Sequence, residues 1–352
     1  MNHVQGILHL QYFYDVGTEI DLDRLKLPPP TTPSPIRFES PPLEESLPPI
    51  TLPSGDSVTP HLRYFSYGVV CLEFHLLFAC PWDALVALAA QWVGSDAAGL
   101  TADQTLQARL ARLAPAIKKP LEKPLREDYT IVELHQALDN QGQPLAAADL
   151  LLLHGPAIVQ IVRGERLPLS AGEQAEVLVS SMSYTPGDLL VVGYAAALVY
   201  DQEPNASLPV LQLLAYANTQ LLEYRFYDDL LAPVLADVSH RLTARNRFWN
   251  HWRGGSEAAK LSAVQLEVME LTEKTDNAIK FLSDMFYSRA YKLASTRIGV
   301  PDYRRLVEAK LRTAGELYKF MTDRSHQTSA FVLELIVVII LIIDLTVLFT
   351  RH

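Results

Sequence analysis

The densest group of side chains able to contact a ligand lies in HRLTARNRFWNHWRGG, residues 240–255, where arginines alternate with aromatic residues. Guanidinium groups and aromatic rings can stack together on RNA bases, and the same combination can lie at a lipid headgroup layer. The residues concerned are Arg241, Arg245, Arg247, Trp249, Trp252 and Arg253. The interpretation we favour needs no ligand: a helix end packed by its aromatic side chains, with the arginines in solvent.

Two carboxylates lie inside the apolar run AFVLELIVVIILIIDLTVLF, residues 330–349. Sixteen of these twenty residues are Leu, Ile, Val or Phe, and a helix of this length spans about 30 Å, the thickness of a bilayer core. Because Glu334 and Asp344 both lie away from the centre, the transfer free energy still favours insertion. The run predicts a transmembrane helix; the alternative is a buried helix of a core or an oligomer.

The two acids are predicted to differ in their roles. Glu334 lies about one turn inside the membrane edge, where its carboxylate can reach water, so we expect it to be tolerated. Asp344 lies five residues before the end of the run and could share a hydrogen bond with a neighbouring helix of a homo-oligomer. The alternative is that both acids are only tolerated near the membrane edges.

The position of the run predicts a tail-anchored protein. The N-terminal residues MNHVQGILHLQYFYDVG lack the basic start and the apolar region of a signal peptide. Lys310, Arg312, Lys319 and Arg324 precede the run, which favours a cytoplasmic N-terminal domain. Membrane lipid is therefore the partner that the sequence indicates most directly.

Sequence patterns typical of enzymes are absent. The ten histidines include no HExxH motif and no pair at metal-ligand spacing, and no GxSxG, Walker or GxGxxG motif occurs. Cys71 and Cys80 are nine residues apart, a spacing that fits neither a metal site nor a redox site. A formal charge of −10 argues against a general nucleic-acid binder. We therefore expect no catalytic residues, no cofactor and no metal.

A mixed N-terminal domain must position these segments. Hydrophobic periodicity predicts strands at residues 6–15, 61–78 (one or two strands, interrupted by Gly68), 128–134 and 188–201. It predicts helices at residues 82–92 and 103–113, a short one within 17–26, and one opened by the Ser170 cap with Glu173 three residues on. Strands and helices interleave, so residues 1–27 and 61–205 are predicted to form an α/β or α+β domain.

Residues 28–60 interrupt this domain. They hold eleven of the 23 prolines, so no regular element is expected to run through them. We interpret this Pro-rich segment as a semi-rigid linker or a surface insertion. The alternative is a binding segment for an SH3-like partner.

The chain becomes helical after residue 205. Apolar residues at alternating steps of three and four predict a coiled-coil seam. Its members are Leu261, Val264, Val268, Leu271, Thr275, Ala278, Leu282 and Met285. Gly299 and Pro301 predict a stop and a restart, after which a second seam follows at Val307, Leu311, Ala314, Tyr318 and Met321. Residues 206–329 are therefore predicted to form an antiparallel helical hairpin, and the fold class is α+β with a C-terminal transmembrane helix at 330–349.

Three short stretches resemble the "required for meiotic nuclear division" proteins, a family built on a domain of unknown function. They are GTEIDLDRL (17–25), RYFSYGVVCLEF (63–74) and FVLELIVVIILIIDLTVLF (331–349). The resemblance implies membrane anchoring, self-association and, in mitochondrial members, support of organelle translation. It supplies no catalytic residues. We interpret this chain as a distant bacterial member in the inner membrane.

These observations favour a tail-anchored, non-enzymatic scaffold or assembly protein that self-associates through stalk and span and presents a cytoplasmic head. One alternative is a membrane-tethered nucleotide-sensing or enzymatic domain, with a pocket near Gly68 or Gly193. Another is an RNA or ribosome tether, as the family resemblance suggests.

Overall fold

The protein divides into two compact units that alternate along the chain. The computed structural model describes residues 3–28, 36, 40–139, 141–203, 205–243, 262–270, 272–273, 284–317 and 319. The first unit comprises residues 1–226 and 272–303, and the second comprises residues 227–271 and 304–352. The first unit combines a large sheet with helices, which confirms the predicted mixed architecture.

A sheet of eight strands forms the centre of the first unit. Its strands and those of a small ribbon are β1 (His3–Ile20), β2 (Leu43–Ser46), β3 (Ile50–Thr51), β4 (Ser57–Val58), β5 (His61–Tyr64), β6 (Val69–Pro81), β7 (Ile117–Ala137), β8 (Ser181–Met182), β9 (Asp188–Val192) and β10 (Ala196–Asp201). The order is β2-β5-β6-β1-β7-β10-β9-β8, and only the β7–β10 pair is parallel. Thus β1 is central, between two long antiparallel partners.

Helices flank this sheet. They are α1 (Leu22–Leu25), α2 (Trp82–Trp92), α3 (Asp96–Leu113), α4 (Ala147–Arg163), α5 (Ala171–Leu178), α6 (Leu208–Thr243) and α7 (Met285–Ile298). The predicted helices at 82–92 and 103–113 are confirmed, the second with an earlier start. The Ser170 cap is also confirmed, since its hydroxyl accepts a hydrogen bond from Glu173 N at 3.3 Å.

The main apolar core lies on one face of the sheet. Leu8, Leu10 and Tyr12 of β1 belong to a buried cluster with Leu85 of α2 and Ile158 of α4. Because side chains alternate along a strand, His9 and Gln11 point to the other face. Ser207, directly before α6, donates to Glu133 on that second face, and Thr219 of α6 is 2.8 Å from the hydroxyl of Tyr67 in the β5–β6 turn.

The turn between β5 and β6 explains the glycine in the predicted strand at 61–78. Gly68 has a φ of +98°, a conformation that strongly favours glycine, so the segment forms two antiparallel strands. A Cβ atom at Gly68 would lie 1.7 Å from the carbonyl oxygen of Gly17, so the backbones approach closely. The prediction for 61–78 is therefore confirmed in its two-strand form.

Two sequence predictions within the head were wrong in detail. The segment 188–201 is a hairpin of β9 and β10 rather than one strand, because the chain turns back at Gly193, whose N–H bonds Ala196 O at 2.9 Å. The Pro-rich segment 28–60 contains three short strands: β2 extends the edge of the sheet, and β3 pairs with β4. Its prolines flank these strands, so the ladder hydrogen bonds survive.

The helical region agrees with the prediction only in part. α6 runs through Pro233, and Gly299 ends α7 with a φ of +98° before helical structure resumes at residues 300–317, as the stop-and-restart signal predicts. The predicted seam is wrong at Met285: Asp284 is extended, and its carboxylate caps α7 by accepting from Phe286 N at 2.8 Å. An aspartate favours this capping role over a helix interior.

Several seam positions of the second unit are nevertheless the more buried ones on their helices. Val268, Val307 and Ala314 are buried, and Val264 and Leu311 are half-buried. The members outside the described residues are Leu261, Leu271, Thr275, Ala278, Leu282, Tyr318 and Met321. The antiparallel hairpin stays a prediction.

The predicted membrane span at 330–349, with Glu334 and Asp344, also lies outside the described residues. Within the described part of the chain, no helix combines the length and the apolar character needed to cross a bilayer.

Candidate functional site

A cluster of ionisable side chains lies in the middle of the sheet, on the face opposite the main core. His9 of β1 faces His75 of β6 in the strand register, Gln11 faces Glu73, and Ile7 faces Glu133 of β7. Residues opposite each other in a ladder point to the same face. His9, Gln11, Glu73 and Glu133 are each at most 6% exposed, so four polar side chains are buried together.

The imidazole of His9 joins the two carboxylates. Its Nδ1 atom lies 2.8 Å from Glu73 Oε1, and its Nε2 atom lies 2.8 Å from Glu133 Oε2. Burial by itself would lower the pKa of His9, but the hydrogen bonds and the charges of Glu133 and Glu73 raise it to about 9. At neutral pH the ring is therefore an imidazolium between two carboxylates.

Each carboxylate has a second partner that holds its other oxygen. Arg63 of β5 donates to Glu73 Oε2, and Ser207, directly before α6, donates to Glu133 Oε1. Burial opposes charge on Glu73, yet the Arg63 guanidinium and the neighbouring histidines hold the pKa of this carboxyl well below its usual range. Burial likewise opposes charge on Glu133, but the hydrogen bonds from His9 and Ser207 lower its pKa to about 2. Both carboxylates are therefore ionised at neutral pH.

The cluster has an approximate internal symmetry about β1. Each flanking strand carries a Glu-x-His pair, Glu73-Phe-His75 on β6 and Glu133-Leu-His135 on β7. In each pair the histidine Nε2 atom lies 3.2 Å from Oε1 of its glutamate. The two halves differ in exposure, because the His75 side chain is 34% exposed and that of His135 is 53% exposed.

Some polar atoms of the cluster lack hydrogen bonds. The Oε1 atom of Gln11 is buried and has no hydrogen-bond partner among the described residues, although its Nε2 atom donates to Glu73 Oε1 at 3.3 Å. The Nε2 atom of His75 is also buried and has no well-aligned hydrogen bond to a described residue, although it lies 3.2 Å from Glu73 Oε1. A buried polar atom without a hydrogen bond costs about 1–3 kcal/mol, so binding of a ligand that satisfies such an atom would be favourable.

Three of these residues have the arrangement of a metal site. One ligand atom each from His9, Glu73 and His75 lies within 4.8 Å of the other two. Imidazole nitrogens and carboxylate oxygens are ligands of zinc and related divalent ions. This group is not apparent in the sequence, because its members lie on two strands that are more than 60 residues apart along the chain. The available signal was the Glu-x-His spacing, which places both side chains on one face of a strand.

A second polar feature is an open groove of about 620 Å³ between β8 and α7. Its basic lining comes from Arg289, Lys292 and Arg297 on α7, and Ser181 lies on the β8 side. Arg297 pairs with Glu176 at 2.7 Å, whereas Arg289 and Lys292 are exposed and have no ion-pair partner in the described part of the chain. This groove is thus a local basic surface on an acidic protein.

The structure does not bring the sequence-predicted residues into either site. Arg241 lies in the last turns of α6, while Arg245, Arg247, Trp249, Trp252 and Arg253 lie outside the described residues. The sequence also suggested a pocket near Gly68 or Gly193. The backbone of Gly17 occupies the space next to Gly68, and the side chain of Val162 occupies the space next to Gly193. Neither glycine is among the residues that line the groove, so neither forms part of its wall.

Comparison with known proteins gives one match. Residues 5–207 match a family model described as "Uncharacterized protein MJ0711, N-terminal domain". No curated protein and no solved structure matches the chain. The matched segment ends directly before α6, so it contains β2–β10 and all of β1 except its first two residues, and it includes His9, Glu73, His75 and Glu133. The resemblance to the "required for meiotic nuclear division" proteins stays a prediction.

Proposed function

The chain belongs to the MJ0711 N-terminal domain family, whose name carries no activity, and we propose that it is a tail-anchored, non-enzymatic membrane scaffold. In this proposal a cytoplasmic α+β head is attached through a helical stalk to a span at residues 330–349, in the inner membrane of a bacterium. The partners are membrane lipid and further copies of the chain.

The single observation that carries the proposal is the apolar run at 330–349, which follows the folded head in the sequence. Its length fits one bilayer crossing. The family match supports a separable head, because it ends at residue 207 and α6 begins at Leu208. The buried charges of the head pair with one another, as expected for a structural network rather than an open catalytic pocket.

The test is membrane attachment with and without the run. A chain ending at Thr322 should leave the membrane fraction while keeping the melting profile of a folded head. The full-length chain should stay with membranes through carbonate and high-salt washing. A truncated protein that still sediments with washed membranes would contradict the assignment of 330–349 as the anchor.

A second candidate, a tether for RNA, is favoured by the basic groove. Phosphate groups attract clustered Lys and Arg side chains, and this attraction weakens as salt rises. Arg289 and Lys292 lie three positions apart on α7 and face one groove. Both side chains are exposed and have no ion-pair partner among the described residues, although Glu176, which pairs with Arg297, places one carboxylate beside the groove lining.

This candidate predicts a specific loss of binding. The double variant Arg289→Glu with Lys292→Glu should weaken binding of a fluorescent single-stranded RNA at least about tenfold in low salt. The double variant Lys123→Glu with Arg166→Glu makes the same charge change at exposed positions elsewhere and should retain most binding. Equal losses in both variants would mean that only net charge matters and would remove the groove from consideration.

A further inference from the structure

We propose that His9, Glu73 and His75 form a binding site for a divalent metal ion of the zinc class, inside the sheet of the head. The site goes beyond the scaffold function and does not depend on it. His9 would bind through Nδ1, which releases its proton to solvent when the ion binds, Glu73 through Oε1 and His75 through Nε2. Two imidazoles and one carboxylate are a ligand set that proteins use for zinc with one position left open.

The distances fit a metal ion after small adjustments. Ligand atoms of a tetrahedral ion with bonds of about 2.0–2.2 Å lie roughly 3.4 Å apart. In the structure, Glu73 Oε1 is 2.8 Å from His9 Nδ1 and 3.2 Å from His75 Nε2. Glu73 Oε1 therefore needs to move away from each nitrogen by less than about 1 Å. All three ligand atoms already lie within 4.8 Å of one another, and side-chain rotation of the half-buried His75 can adjust their spacing.

The surrounding contacts are those that hold metal ligands in place. A metal-binding histidine usually donates its second ring nitrogen to a carboxylate. His9 has this arrangement, with Nε2 2.8 Å from Glu133 Oε2. Arg63 occupies the second oxygen of Glu73, so Oε1 alone is left for an ion. Ser207 in turn holds Glu133.

Two side chains that carry unsatisfied atoms, Gln11 and His75, lie next to Glu73 Oε1. Gln11 is 1% exposed, its amide touches Glu73 Oε1, and its own oxygen has no hydrogen-bond partner. The nitrogen and oxygen of a carboxamide exchange places by a flip. A flip of Gln11 would turn its oxygen towards the ion as a fourth ligand and would place its NH₂ group where the unsatisfied oxygen now lies. The buried Nε2 atom of His75 likewise has no hydrogen bond and would be satisfied by a metal.

The related pair on the other side of β1 supplies a matched control. Glu133 and His135 repeat the Glu-x-His spacing, but His135 is more than half exposed and is not among the three residues whose ligand atoms converge. The proposal therefore assigns binding to His75 and not to His135, although the two histidines have the same sequence context.

The experiment uses the full-length protein, purified in detergent and freed of metal with a chelator. Titration with Co²⁺ and Zn²⁺ should show one ion per chain, a visible Co²⁺ spectrum of low coordination number and a higher melting temperature with Zn²⁺. His75→Ala should weaken binding at least about 100-fold, and Glu133→Gln about 10–100-fold through the ligand His9. His135→Ala should bind as the wild type does.

Folding is checked by circular dichroism, and His75→Gln replaces His75→Ala if the alanine variant is unstable. Wild-type protein that binds no stoichiometric Co²⁺ or Zn²⁺ would overturn the proposal. Equal weakening by His75→Ala and His135→Ala would also overturn it, because that result would indicate adsorption to surface histidines.

Discussion

The Nε2 atom of His9 lies 2.8 Å from the Oε2 atom of Glu133, across the ladder between β1 and β7. This contact is one half of a bridge in which a single buried imidazolium compensates two buried carboxylates. In the described part of the chain Arg63 is a second cation in direct contact with Glu73, so two cations face the two carboxylates within the sheet. We therefore expect the bridge to stabilise the head when no ion is bound.

Replacing His9 by Leu should destabilise the head strongly. Glu73 and Glu133 would be left facing an apolar side chain, and an uncompensated buried charge costs about 3–5 kcal/mol. Urea denaturation in the presence of chelator measures this loss without a metal contribution. His135→Ala, at a half-exposed position, should change the free energy of unfolding by less than about 0.5 kcal/mol. Similar values for the two variants would show that the bridge does not stabilise the head.

Asp15 should make the head less stable as the pH rises. Burial raises the pKa of this carboxyl from its ordinary 3.8 to about 7, although the Gly17 N–H donates to it. Between these two values the folded state holds a proton that the unfolded state has released, so the free energy of unfolding falls as pH increases. Asp15→Asn should therefore stabilise the head by about 1–3 kcal/mol at pH 8 and by little at pH 4. A stabilisation that does not depend on pH would contradict this assignment.

Gly68 should not tolerate a side chain. A Cβ atom there would lie 1.7 Å from the carbonyl oxygen of Gly17, so the β5–β6 turn would have to separate from β1. Gly68→Ala should lower the free energy of unfolding by more than about 3 kcal/mol. Gly55→Ala is the matched control, since Gly55 has a similar φ of +92° with nothing within 4 Å of an added Cβ. It should cost only about 1 kcal/mol for the backbone conformation; equal costs would show that the close approach does not matter.

Val268 tests the packing of the second unit. It is 4% exposed, whereas its neighbour Met269 is 61% exposed. Val268→Asp would bury an unpaired charge and should cost several kcal/mol, while Met269→Asp should be nearly neutral. Thermal melting of both variants gives the comparison. If Val268→Asp melts like the wild type, the seam at 264–268 is not part of a packed core.

Sequence patterns predicted local elements better than their assembly. The helix at 82–92 and the Ser170 cap depend on neighbouring residues, so periodicity and capping rules sufficed. The hairpin at 188–201 was missed because two buried strands joined by Gly193 read as one apolar run. Helix α4 was also missed, since Pro156 and Gly155 within it weaken the helical signal.

The polar cluster was beyond the reach of sequence patterns for a different reason. His9 meets Glu73 and Glu133 only because β1 lies between β6 and β7, and that strand order is a property of the tertiary fold. Each residue by itself looks like a surface residue of an alternating strand. The Glu-x-His pairs were visible in the sequence, but a spacing of two carries meaning only once the face of the sheet is known.

The native mass of the full-length protein in detergent tests whether the chain is a tethered scaffold that assembles through its stalk and span. We expect an oligomer. Asp344→Leu should weaken it, because the carboxylate can no longer share a hydrogen bond with a neighbouring helix, and Glu334→Leu should have a smaller effect. A full-length wild-type protein with the mass of a monomer would show that the chain does not assemble through its stalk and span. An oligomer that Asp344→Leu leaves intact would remove Asp344 from the interface.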